Sequence, residues 1–128
     1  MEKGLTGKTG EEFAAEYYRK KGYTVREMNW HSRYGEIDVI AENEAYVVFC
    51  EVKTRSSRTP SAPREAVDTK KQQRLTLTAL KYLGENGSEK MLRFDVCEVW
   101  MNEGRVYKFN SIENAFEPAD FSGRYDLF

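Results

Sequence analysis

Asp38, Glu51 and Lys53 are the residues whose types and spacing could do chemistry, and all three lie in residues 35–55, GEIDVIAENEAYVVFCEVKTR. Apolar runs at 37–41 and 46–52 flank a polar break at 42–44, the pattern of two strands joined by a tight hairpin. An acid inside a buried strand is costly unless it is paired or binds metal. Carboxylates on rigid strands can supply part of the oxygen shell of Mg²⁺ or Mn²⁺. Such a cation binds phosphate oxygens and lowers the pKa of its water. Asp38 and Glu51 suit the ligand role, with the main-chain carbonyl of Val52 as a further oxygen. Lys53 can orient or deprotonate the water, or offset the developing charge. The predicted chemistry is metal-dependent phosphodiester hydrolysis. The competing explanation is a structural ion pair in which Lys53 bridges Glu51 or Asp38 at a sheet edge.

The site depends on the elements that position it. Strand alternation puts Val47, Phe49, Glu51 and Lys53 on one face of the second arm, and Val48, Cys50 and Val52 on the other. Glu36, Asp38 and Ile40 share a face of the first arm. A register that sets this face beside Glu51 gathers two or three carboxylates and one ammonium. Glu36 stays open between metal ligand, outer support and hairpin ion pair. Upstream, Thr6 or Thr9 is a plausible N-cap for a helix to about Lys21, with Glu11 and Glu12 in its first turn and Gly22 as its stop. Phe13, Ala14, Tyr17 and Tyr18 form its apolar stripe, and Glu11 at the stripe's edge either reaches over the sheet or simply complements the helix dipole. A weakly patterned strand spans 23–29 and a polar, aromatic loop spans 30–34. His31 is the only histidine, which excludes His-cluster metal sites and reads as a loop residue near substrate.

After the hairpin, residues 54–63 read as a loop, and a second helix is expected over 64–83, stopping at Gly84. Val67, Leu75, Ala79 and Tyr82 form its inner stripe, and Lys71 on the same stripe can extend its amine toward the sheet end. Strands follow at 92–101 and 105–110, with an acidic, aromatic tail from Ser111 containing a short helical turn. The net charge is −1, so no global basic field announces a polyanion. Its distribution is uneven: between Lys53 and Arg74 seven Lys or Arg oppose only Glu65 and Asp68, a local +5. Arg55, Arg58, Lys70, Lys71, Gln72 and Arg74 are the candidate nucleic-acid contacts, holding phosphates independently of sequence.

Other classes are disfavoured. No apolar run approaches a membrane span of roughly 20 residues, and the polar first ten residues lack a signal-peptide core. Cys50 and Cys97 read as reduced, buried small hydrophobes, and a cytoplasmic location follows. Residues 4–9, GLTGKT, share the end of a phosphate-binding loop, but Glu2 stands where its first glycine belongs.

The order helix, three strands, helix, strand with these charges resembles the restriction-endonuclease-like PD-(D/E)XK superfamily, an α/β fold with a mixed central sheet flanked by helices. The chain is most similar to its YraN-like family of predicted endonucleases, themselves similar to archaeal Holliday junction resolvases. Carrying the resemblance are Gly10-Glu11, Asn29-Trp30, residues 35–41, residues 49–55, Lys71-Gln72 and residues 93–96, with Ile37 where the motif name has proline. The resemblance implies Asp38 and Glu51 as metal ligands, Lys53 as catalytic lysine and Glu11 as the first-helix acid. It implies a Mg²⁺- or Mn²⁺-dependent DNA endonuclease acting on branched or double-stranded DNA, with a homodimer as the family expectation. The fold would span residues 1–116 as one domain, followed by a tail at 117–128. Met28 and His31 replace arginines usual beside Asn-Trp, a departure that bears on substrate contacts. Two other readings remain: a nucleic-acid-binding module that keeps the fold without cutting, and a structural or interaction protein whose acidic tail docks a partner.

Overall fold

Alternating apolar residues on both faces of the central strands demand a helix on each side, and that is the architecture found. The computed structural model describes residues 5–56 and 67–121, in the order α1 (Leu5–Lys20), β1 (Thr24–Ser32), β2 (Gly35–Glu42), β3 (Tyr46–Ser56), α2 (Thr69–Asn86), β4 (Met91–Asn102) and β5 (Arg105–Phe116). One five-stranded sheet runs β1-β2-β3-β4-β5. β3 and β4 pair in parallel and the other neighbours antiparallel. This mixed sheet between two helices is consistent with the restriction-endonuclease-like core that the resemblance implies.

The helices pack on opposite faces because the strands alternate. Val48 and Cys50 of β3 face α1, joining Ala14, Ala15 and Tyr18 with Val39, Ala41 and Cys97. Val47 and Phe49 face α2, joining Leu75, Ala79 and Tyr82 with Ile40, Phe94 and Val96. Both cysteines are free and buried. On α2, Thr76 and Thr78 are buried too, each hydroxyl bonded to the carbonyl four residues back (Gln72 O, 2.7 Å; Arg74 O, 2.8 Å). That local bond lets a polar side chain enter the core.

Several boundaries differ from the sequence expectation. Helix α1 already runs from Leu5 and ends at Lys20, so Glu11 and Glu12 lie beyond its first turn. Phe13 is 40% exposed and rests on Phe109, while Ala15 takes a core position. Strand β1 continues through Trp30 and His31, because Trp30 packs edge-on to Tyr82 and His31 pairs with Glu36 across the ladder. Helix α2 starts later, at Thr69, where the Asp68 side chain caps the Lys71 N–H at 2.8 Å. It passes through Gly84 to Asn86, since Gly87 (φ 60°) supplies the left-handed cap and its N–H bonds Leu83 O at 2.8 Å. The expected helical turn after Ser111 is instead strand: Phe116 stacks on Phe94 and the Asn114 N–H bonds Asp95. Asp95 is fully buried and also accepts from Tyr18 (2.6 Å) and twice from Arg93 (2.9 Å each), a structural network on the α1 face. Among the described residues, no helix is long and apolar enough to cross a membrane.

Candidate active site

Strand β2 loosens from both neighbours at Asp38. In the β1–β2 register Met28 pairs with Val39 and Trp30 with Ile37, whereas Asn29 and Asp38 between them do not pair. Asn29 takes a left-handed φ of 54°, which asparagine tolerates better than most residues. The β2–β3 ladder ends at Val39↔Cys50, one step short of setting Asp38 opposite Glu51. There the Asp38 Oδ2 accepts the Val52 N–H at 2.7 Å, so a side chain makes the rung the backbone leaves open. Ile37 consequently joins the α2-side core with Ile40, breaking strict alternation across Asp38.

The result is a cleft of about 480 Å³ at one end of the sheet, with Glu11, Glu36, Asp38, Glu51 and Val52 on one side and Lys71, Arg74, Leu75 and Thr78 of α2 on the other. Glu11 reaches it because α1 approaches β3 closely at Gly10. A Cβ on Gly10 would stand 2.4 Å from Thr54 Oγ1, a distance no relaxed contact allows. Thr54 also lines the cleft.

Asp38 and Glu51 are 9% and 8% exposed. Lys71 Nζ lies 2.9 Å from Glu51 Oε2, and Lys53 Nζ lies 3.9 Å from the same oxygen. The hydrogen bond to Glu51 raises the pKa of Lys71. Asp38 has no Lys or Arg within ion-pair distance among the described residues. Burial pushes its pKa up to about 7; the Val52 N–H opposes this, and Glu51, Glu11 and Glu36 reinforce it. A buried carboxyl with no cation beside it is a group that a hard divalent ion could hold in its deprotonated form. Among the described residues, no three His, Cys, Asp or Glu side chains gather closely enough to hold a metal ion together. Two strand carboxylates instead suit Mg²⁺, which keeps several waters and takes one or two carboxylates from the protein.

Of the sequence candidates, the fold brings together Glu11, Asp38, Glu51, Val52, Lys71 and Arg74. Lys53 shares the face of Glu51 but does not line the cleft. Arg55 sits 3.5 Å from Glu98, a buried carboxylate that also accepts from Asn110. Gln72 spends its amide on Val67 O at 2.7 Å, and Lys70 is an exposed side chain in the first turn of α2. Arg58 lies outside the described residues. Glu36 Oε1 lies 2.8 Å from His31 Nε2 while the residue also lines the cleft, and His31 lies on a strand rather than in a loop. Thr54, Thr78 and Gly35 were not singled out from sequence. For Thr78 a signal existed: Lys71, Arg74, Leu75 and Thr78 follow the i, i+3, i+4, i+7 spacing of one helix face.

Residues 10–99 match the model of the family described as "Uncharacterised protein family UPF0102". The chain belongs to the UPF0102 family. The match spans every residue of the cleft, from Glu11 to Thr78. Similar UPF0102 proteins include one from Caldanaerobacter subterraneus subsp. tengcongensis, 42% identical over 119 residues, covering 91% of this chain and 98% of that protein. Another from Alkaliphilus oremlandii is 45% identical over 113 residues, covering 86% and 96%. One from Rhodococcus jostii is 38% identical over 111 residues, covering 86% and 94%. UPF0102 membership thus agrees with the YraN-like resemblance of the motifs.

Proposed function

We propose that this UPF0102 chain is a Mg²⁺- or Mn²⁺-dependent DNA endonuclease of the PD-(D/E)XK type, with the Asp38–Glu51 cleft as its active site. The observation that carries this reading is the convergence of two buried carboxylates from adjacent strands opposite a basic helix wall, Lys71 and Arg74. Acids beside cations are what a phosphodiester and its metal require, and the Val52 N–H takes only one oxygen of an Asp38 carboxylate that has no cation beside it.

In this reading Asp38 and Glu51 hold the ion, with the Val52 carbonyl as a further oxygen. A bound Mg²⁺ supplies Lewis-acid polarisation of the phosphate and a more acidic water. Lys71 and Arg74 offset phosphate charge at the rim, and Lys70 extends that wall outward. Lys53 lies along the strand from Glu51, where its ammonium stabilises charge that develops at the leaving oxygen. Glu11 adds a carboxylate from α1 to orient the attacking water. Branched or recombination-intermediate DNA is the substrate class, and a dimer would present two such clefts for paired cuts.

The test is cleavage of labelled four-way, flap and linear DNA in Mg²⁺, Mn²⁺ or EDTA, alongside Asp38→Ala and Lys53→Ala. The reading requires metal-dependent products that both substitutions abolish; cleavage surviving either one would point to a contaminant. The position of Lys53, 3.9 Å from Glu51 and off the cleft lining, favours a second reading, a binding module that does not cut. Binding to DNA without products in the wild type would establish that alternative.

A further inference from the structure

Glu51 carries its counter-cation on a neighbouring helix. Its side chain is 9% exposed and fixed on β3, which pairs with β4 at this residue (Glu51↔Val96), whereas the Lys71 side chain is 39% exposed and only its tip, Nζ, meets Glu51 Oε2 at 2.9 Å. The backbone of Lys71 is anchored, its N–H bonded to the Asp68 cap at 2.8 Å. A four-carbon stem on a fixed Cα lets the ammonium swing away without moving the helix. Both ammonium groups of the cleft region, Lys71 at 2.9 Å and Lys53 at 3.9 Å, fall to Glu51 and leave Asp38 without a basic partner among the described residues; a divalent ion shared by both acids would offset the pair.

We propose that Lys71 is a displaceable stand-in for the metal at Glu51, released when a divalent ion binds. The inference rests on the metal-dependent reading above and adds a coupling to it. Arg74, one turn along α2, lines the same wall. A freed Lys71 ammonium beside Arg74 forms a two-cation site that a phosphate oxygen would neutralise. Metal loading thereby prepares the cleft for the DNA backbone. In this scheme Lys71 answers Glu51 first and phosphate second, which sets the order of binding, metal before substrate.

The experiment measures Mn²⁺ binding by calorimetry to the full chain, wild type and Lys71→Met, Lys71→Arg and Asp38→Asn. Loss of the competing ammonium in Lys71→Met should tighten Mn²⁺ binding about tenfold, the scale of one charge-assisted hydrogen bond. Lys71→Arg should stay near wild type, and Asp38→Asn should bind least. Thermal unfolding gives the second readout. In EDTA, Lys71→Met should melt below wild type because Glu51 loses its nearest cation, and saturating Mn²⁺ should close that gap. Equal or weaker Mn²⁺ binding by Lys71→Met, or a melting gap that Mn²⁺ leaves open, overturns the proposal; binding lost in Asp38→Asn would still uphold the metal site itself. Absence of Mn²⁺ binding in both wild type and Lys71→Met overturns the metal-dependent reading and this inference together.

Discussion

The Asp38 carboxylate closes the β2–β3 hairpin by accepting the Val52 N–H at 2.7 Å, beyond the last backbone pair at Val39↔Cys50. One oxygen thus braces the strand beside Glu51, and the carboxyl as a whole stays in the cleft. The same interaction that bridges the strands where the backbone ladder stops orients the acid. Position 38 therefore serves fold and site at once, and its substitutions should separate the two.

Asp38 makes the stability of the protein depend on pH in a stated direction. Its pKa rises from 3.8 unfolded to about 7 in the fold, so between those values the folded state binds more protons. Stability should fall as pH rises through this window and level off above it. Asp38→Asn should remove that slope and, in EDTA at pH 8, stabilise the protein by about 2 kcal/mol. Urea unfolding from pH 4 to pH 8 measures it; a wild-type slope equal to that of the variant would refute the assignment.

Gly10 should tolerate no side chain while Thr54 faces it. A Cβ there would meet Thr54 Oγ1 at 2.4 Å, so Gly10→Ala should cost about 1–3 kcal/mol by overpacking and draw Glu11 away from the cleft. Adding Thr54→Ala should recover most of that loss. The double-mutant cycle read by chemical denaturation checks this, with coupling expected because the two residues touch.

Buried acids outside the cleft should behave as structure. Asp95 accepts four hydrogen bonds, from Tyr18, Arg93 twice and Asn114. Asp95→Ala should destabilise by about 3–5 kcal/mol, since it leaves the Arg93 guanidinium buried without its acid. Mn²⁺ affinity of the folded fraction should not change. A calorimetric titration below the melting temperature separates this outcome from a role in the site.

The basic wall should act through phosphate charge. Lys70→Ala and Arg74→Ala should each weaken DNA binding across unrelated sequences and reduce the slope of log affinity against log salt by about 1. Arg55→Ala should leave that slope in place and lower stability instead, because Arg55 serves the buried Glu98. Fluorescence anisotropy over a salt series distinguishes the two classes.

The hairpin, the shared face of Glu51 and Lys53 and the inner stripe of α2 were legible because periodicity reports which way a side chain points. Helix and strand ends were less legible. Tertiary partners set them: Trp30 meets Tyr82, Phe116 meets Phe94, and the Asp68 cap sets the start of α2.

The amino-acid sequence by itself determined the two-faced sheet, its two covering helices and the candidate set Glu11, Asp38, Glu51, Lys53 and Lys71, since these follow from local pattern and residue type. Only the tertiary structure decided which ammonium meets Glu51. Strand spacing nominates Lys53, two residues away, yet Lys71 of a distant helix takes the contact at 2.9 Å and leaves Lys53 at 3.9 Å. The physical reason is geometric: side chains two apart on a strand stand side by side and roughly parallel, whereas a helix packed over the sheet aims its lysine straight at the acid.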